Sequence, residues 1–262
     1  MANIFITGAT DGLGRAVAHH LARQGHDLIL HGRNRARLDE VAAEVGRSPI
    51  TVLADLAELS QVHRLAAEVS AATDRLDVFI SNAGIGSPDA QRQVSADGHE
   101  LHFAVNHLAG FLLARELLPL LRRSAPARIL FVASLSQSPV DFDDPMIERG
   151  YTGLRAYGQS KLAQIMAGFE LAGRVDATEV TVNSLHPATL MPTKMVPGHR
   201  SVDRLETGVA ATVRLATSDE LTHVTGKFYD RQRETRADPQ AYDHDARARL
   251  WKLSEELTSP RW

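Results

Sequence analysis

Strand–helix alternation along nearly the whole chain predicts an α/β protein, a single doubly wound domain with a seven-stranded, mostly parallel sheet. Three observations carry this. Seven short β-branched runs are apolar on both faces, as strands covered by helices on each side must be. Longer stretches of helical period separate the runs. No repeat, low-complexity linker or composition break divides the 262 residues, a length that single α/β domains commonly reach.

The predicted strands are residues 4–7, 28–30, 51–53, 78–81, 129–133, 181–185 and 228–229. Residues 15–24 form a helix through Ala16, Val17 and Leu21, stopped by Gly25, and residues 59–72 form another through Leu59, Val62, Leu65, Ala66 and Val69. The most hydrophobic stretch, 101–121, contains His102, Asn106, His107, Arg115 and Glu116, so it reads as a buried helix and not a membrane span. Its Leu108, Phe111 and Leu112 suit either the core or a subunit interface. Residues 245–257, with Leu250, Leu253 and Leu257, form an amphipathic capping helix. Two segments break the alternation: 136–156, partly acidic and placed before a helix starting near Tyr157, and 187–203, rich in Pro, Thr and Met. Long connections of this kind are expected as substrate loops.

Composition narrows the function. Net charge is −3, which offers no strong field for nucleic acid or anionic membrane. The absence of cysteine excludes disulfide scaffolds, thiolate metal sites and thiol nucleophiles. With 44% hydrophobic residues the chain can bury a large core. The start has no basic n-region or small-residue cleavage site, so a cytoplasmic protein without a membrane anchor is expected.

In a doubly wound sheet, ligands sit outside the carboxyl ends of the strands. After the first run comes Thr7-Gly8-Ala9-Thr10-Asp11-Gly12-Leu13-Gly14, opening the first helix. Gly8 permits a sharp turn, Gly12 lets the backbone approach a pyrophosphate, and Gly14 lets helix and strand pack closely. The helix N-terminus adds free N–H groups and partial positive charge. A lone glycine turn also fits a plain tight turn; the position between strand and helix selects nucleotide binding.

The Thr-Gly-x-x-x-Gly-x-Gly spacing resembles the short-chain dehydrogenase/reductase family, a Rossmann-type fold. Further landmarks follow in order: Asp55-Leu56 after the third strand, Asn82-Ala83-Gly84 after the fourth, Asn106 on the next helix, Ser134 after the fifth strand, and Tyr157-x-x-x-Lys161. The resemblance runs from about Ile4 to Tyr229. It implies that Asp55 touches the adenine of a dinucleotide, that Lys161 holds the nicotinamide ribose, and that Asn106 keeps a proton-feeding water. The layout around Ala156–Ala163, with Tyr157 23 positions after Ser134, resembles the retinol-dehydrogenase-like and protochlorophyllide-reductase-like branches, which work on bulky hydrophobic carbonyls.

The chemistry can be argued from the residues. Tyr157 and Lys161 stand one helical turn apart, so they share a face. A phenol titrates near pH 10, too high for a good base at neutrality, and a neighbouring ammonium lowers that value. Tyr157 then exchanges a proton with the substrate hydroxyl while hydride passes to or from nicotinamide. Ser134 orients the same oxygen, with Ser136 as a second pocket hydroxyl or the alternative orienting group.

Cofactor choice is read after the second strand, where Leu30-His31-Gly32-Arg33-Asn34-Arg35 carries no acid. An acidic side chain there favours NAD and an arginine accommodates the 2′-phosphate of NADP, so Arg33 predicts NADP over NAD. After the sixth strand, Pro187 and Leu190 are expected to face the nicotinamide, and Thr193 the carboxamide or phosphates. The family pattern has a glycine where Ala188 stands and its threonine one residue earlier than Thr193, which leaves the register of Thr193 open.

The expected function is NADP-dependent oxidoreduction of a carbonyl or alcohol on a small or lipophilic molecule, by a homodimer or homotetramer. A non-catalytic redox sensor usually loses the Tyr, Lys or Ser kept here. Sugar-nucleotide epimerases and dehydratases usually carry a longer C-terminal region. His99 and His102 share a helix face in this reading, but no third ligand accompanies them, and no metal is expected.

Overall fold

The structure is a computed structural model and describes residues 1–86, 91–195 and 201–259. Its sheet has eight strands in the order β3-β2-β1-β4-β5-β6-β7-β8. The strands are β1 (Asn3–Ile6), β2 (Asp27–Gly32), β3 (Ile50–Leu53), β4 (Val78–Ser81), β5 (Ala127–Val132), β6 (Val180–His186), β7 (Lys227–Asp230) and β8 (Arg233–Thr235). The first seven pair in parallel, and β8 returns antiparallel on β7 with Tyr229 opposite Glu234. The expected seven strands are thus extended by one. β8 reads Arg-Glu-Thr and is largely exposed, so it carries none of the apolar signal that marks the others.

The helices are α1 (Gly12–Arg23), α2 (Arg35–Val45), α3 (Leu59–Ala72), α4 (Ala109–Glu116), α5 (Leu118–Arg123), α6 (Gly153–Ala172), α7 (Leu205–Thr217) and α8 (His244–Thr258). Successive side chains on each strand point to opposite faces. Ile4 and Ile6 therefore join one core with α1, α2 and α7, whereas Phe5 and Phe79 stack in the other with α3, α4, α6 and α8. Among the described residues no helix is long and apolar enough to cross a membrane.

The stretch expected as one buried helix is interrupted. Residues Phe103–Leu108 form a π-helical turn that runs into α4, and α5 follows after Leu117 with Pro119 in its first turn. Leu108, Phe111 and Leu112 belong to the core, where Trp251 of α8 meets the Phe111 ring edge-on at 4.9 Å. α6 begins at Gly153, four residues before Tyr157, with the Thr152 hydroxyl accepting from the Arg155 N–H as its cap. Sandwiched between sheet, α8 and π-helical turn, it is buried on nearly all sides.

Candidate active site

Strand order reverses between β1 and β4, and a cleft of about 810 Å³ opens at the carboxyl ends of the strands there. Gly8 and Gly12 both adopt left-handed φ, 68° and 50°. At Gly14 a Cβ would lie 2.2 Å from the Gly8 carbonyl oxygen, so only glycine lets the helix close on the turn. Thr10, Asp11, Leu13, Asp55, Leu56, Ala83 and Gly84 line the cleft. Thr7 does not. Its buried hydroxyl accepts from the Asn82 and Ala83 N–H groups at 3.0 and 3.1 Å, while the Asn82 amide, which does reach the cleft, donates to the Thr7 carbonyl at 2.9 Å. Thr7 therefore braces the β1 turn against the β4 turn from below.

A second brace was not foreseen. His31, at the carboxyl end of β2, accepts from the Gly8 N–H at Nδ1 (3.1 Å) and pairs through Nε2 with the Ala54 carbonyl at 3.0 Å. Burial lowers its pKa to about 4, so the ring is neutral and Nε2 carries the proton. The signal was present in the sequence, a histidine closing the apolar Leu28-Ile29-Leu30 run. Arg37 also lines the cleft beside Arg33 and had not been singled out.

Across the cleft, Pro187, Leu190 and Thr193 lie on the wall, with Leu190 exposed and at φ 46°. Thr193 approaches the glycine turn, its Cγ2 being 3.1 Å from the position a Gly12 Cβ would occupy. Lys194 forms an ion pair with Asp11. Burial pushes the Asp11 carboxyl up, but the Lys194 ammonium and the Gly12 N–H outweigh it and hold it below its ordinary value. Residues 196–200 of the second expected substrate loop lie outside the described residues.

The residues expected to carry the chemistry meet at the far end. Ser134, Ser136, Tyr157 and Lys161 all line the cleft. The Ser134 hydroxyl accepts from the Ser136 N–H at 3.0 Å, which ties the two candidate serines into one turn. Asn106 lies beneath the wall. In the π-helical turn its Oδ1 accepts from the Ile85 N–H (2.8 Å), and its Nδ2 donates to the Ile85 carbonyl and the Ser160 hydroxyl (both 2.9 Å). Local π geometry of this sort recurs at functional sites because it turns one side chain out of the helical register. The Lys161 ammonium is buried, donating to the Val132 carbonyl at 2.8 Å and to Gln164 Oε1 at 3.3 Å, with Nζ 5.9 Å from the centroid of the Tyr157 ring.

One expectation is corrected. Burial pushes the Tyr157 phenol up, with hydrogen bonding to Ser134 pulling the other way, and Lys161 does not bring it down. The reason is burial of the amine itself, whose pKa falls to about 7. A lysine that is only part-charged at neutrality is a weak lever on its neighbour. His99 is a second correction: it precedes the helix and so shares no helical face with His102. His102 pairs instead with the buried Glu100 carboxylate at 2.9 Å. Among the described residues no cluster of three or more His, Asp or Glu side chains is placed to hold a metal.

The cleft suits a dinucleotide: a glycine turn whose missing Cβ atoms leave backbone exposed, a helix N-terminus, two arginines at one end and a hydroxyl-rich wall at the other. The short-chain dehydrogenase model matches residues 2–203, most of the chain. Human retinol dehydrogenase 14 is 36% identical over 97% of this chain and 85% of its own, and human retinol dehydrogenase 13 is 34% identical over 97% and 83%. Among solved structures, an uncharacterised protein from Mycobacterium paratuberculosis superposes with a TM-score of 0.83 at 28% identity, covering 98% of this chain and 93% of that one. The Pseudomonas aeruginosa RhlG/NADP active-site complex superposes with a TM-score of 0.71 at 25% identity, over 87% and 94%. The fold and cleft define an NAD(P)-dependent oxidoreductase acting on CH–OH or C=O groups of small molecules. The chain belongs to the short-chain dehydrogenase/reductase family, in its retinol-dehydrogenase-like branch.

Proposed function

We propose that this protein is an NADP-preferring carbonyl reductase for lipophilic substrates, with Tyr157 as general acid. The carrying observation is convergence. Tyr157, Ser134 and Lys161 share one wall, and four of the large hydrophobic side chains left exposed, Leu135, Leu154, Leu190 and Met195, line the same cleft. Exposed apolar groups gathered at one opening favour an apolar ligand, since covering them removes that surface from water.

The raised phenol supports the direction. At neutral pH Tyr157 keeps its proton and can give it to a carbonyl oxygen as that oxygen gains charge. Ser134 donates to the same oxygen and steadies the developing charge. The cofactor supplies the hydride. Lys161 and Asn106 stand behind the phenol as the route by which its proton is replaced, and part-protonation suits the lysine to that task. Arg33, with Arg37 beside it, favours a 2′-phosphate through charge-assisted hydrogen bonds, because the β2 turn offers no carboxylate for a 2′-hydroxyl.

A homodimer or homotetramer would use a surface other than the Phe111 face, because α8 covers it; light scattering reads the assembly state. The test of function is a screen of NADPH and NADH consumption against aldehydes and ketones of increasing chain length. Turnover that rises with apolar length and prefers NADPH is expected. Turnover confined to short polar carbonyls, or faster with NADH, overturns the substrate or cofactor assignment.

A further inference from the structure

We propose that Gln164 is the positioning residue that sets the charge state and reach of Lys161. This rests on the reading of Lys161 as the amine of the active site. Gln164 lies on α6 just under one turn beyond Lys161 and is itself buried. Its Oε1 takes one of the three ammonium hydrogens, and the Val132 carbonyl takes another. The third is left for the cleft side, where Gly84 keeps space open: a Cβ there would sit 3.3 Å from Nζ.

The cost of the arrangement shows which interaction selects it. Gln164 Nε2 is buried with no acceptor. Turning the amide over would set its NH₂ against the protonated amine, donor against donor, so the orientation seen favours the ammonium even though the amide's own donors go unmet. Among the described residues Lys161 makes no ion pair with a carboxylate, and Tyr157 is the titratable group that faces it. A neutral acceptor favours the ammonium without locking it on, so it sets a charge state that can still change. A carboxylate at the same position would hold it permanently protonated and end its use as a proton carrier, whereas an apolar side chain would leave it deprotonated and free to swing.

The chain contains four lysines, Lys161, Lys194, Lys227 and Lys252, so the Lys161 signal in protein carrying isotope-labelled lysine is assigned as the one missing from Lys161→Met. Titration followed by NMR is expected to show Lys161 changing charge near neutrality, at least one pH unit higher in Gln164→Glu and lower in Gln164→Met. Gln164→Met is close in shape and guards against misfolding of the charged variant. A Lys161 midpoint that stays the same in all three proteins overturns the proposal. The measurement needs no turnover. A protein that reduces no carbonyl but whose lysine still follows residue 164 supports the pairing while sinking the catalytic reading, and active protein with an unmoved lysine does the reverse.

Discussion

Asn106 donates a 2.9 Å hydrogen bond to the Ser160 hydroxyl, and that hydroxyl donates at 2.8 Å to the Tyr157 main-chain carbonyl. One side chain thus connects the π-helical turn of one helix to Tyr157, the proposed general acid, on another. The Ile85 main chain clasps the same Asn106 amide from the opposite side. Three segments that follow or flank different strands are therefore held in one register.

Replacing that hydroxyl removes both bonds. Ser160→Ala is expected to lower stability by about 1 kcal/mol, the net worth of a buried hydrogen bond, and to lower turnover by roughly tenfold through misplacement of Tyr157. Denaturant unfolding and steady-state kinetics read the two effects. Unchanged turnover with lowered stability would confine Ser160 to a structural role.

Gly86 packs against the Tyr157 ring: an added Cβ would fall 2.7 Å from Cδ2 and 2.8 Å from Cε2. Gly86→Ala therefore has to move the ring or the β4 turn. The expected result is turnover lowered by about tenfold to a hundredfold with a smaller loss of dinucleotide affinity, because the clash falls on the Tyr157 ring while the glycine turn meets Asn82 and Ala83 instead. Fluorescence titration with NADPH separates these from a general collapse of the cleft.

His107 gives a pH prediction. It is fully buried; its Nε2 pairs with the Ser254 hydroxyl at 2.7 Å, and its Nδ1 has no partner. Burial drives its pKa down to about 3. Because the folded value lies below the unfolded one, the unfolded chain binds more protons between pH 6.5 and 3, and stability falls as pH falls through that window. At pH 5 this histidine alone costs about 2 kcal/mol relative to neutral pH. His107→Leu removes that cost, so the stability gap between variant and parent is expected to shift in favour of the variant on acidification from pH 7 to pH 5. A gap that does not change with pH would contradict the assignment.

Arg33 is the residue on which cofactor preference is staked. Arg33→Ala is expected to raise KM for NADPH by about tenfold to a hundredfold while leaving NADH within a factor of about two, the loss of a charge-assisted contact made only to the 2′-phosphate. An equal effect on both cofactors would assign Arg33 to general electrostatics. Arg33→Ala combined with Arg37→Ala shows whether the neighbouring guanidinium shares the load.

Much of this site was legible in the sequence because its parts announce themselves by type and spacing. The Gly8, Gly12 and Gly14 positions are dictated by backbone φ and close approach, which only glycine satisfies. Tyr157 and Lys161 stand out through the family resemblance, and helical periodicity puts them on one face. What escaped were relationships made by tertiary contact. The His31 brace depends on β2 lying beside the β1 turn, and the Asn106–Ser160 bond on α6 packing against the π-helical turn. β8 escaped because three polar residues show no strand period. Helical spacing reports the proximity of Tyr157 and Lys161 and says nothing of how deeply the amine is buried, so the raised phenol and lowered amine do not follow from it.

The central claim is that the Tyr157 phenol supplies the proton that completes carbonyl reduction. Its direct test is single-turnover consumption of NADPH with a lipophilic aldehyde by the parent protein and by Tyr157→Phe, with NADPH affinity measured alongside. The expected result is a rate roughly 10²–10⁴-fold lower in the variant at nearly unchanged NADPH affinity. Equal rates in the two proteins would contradict it.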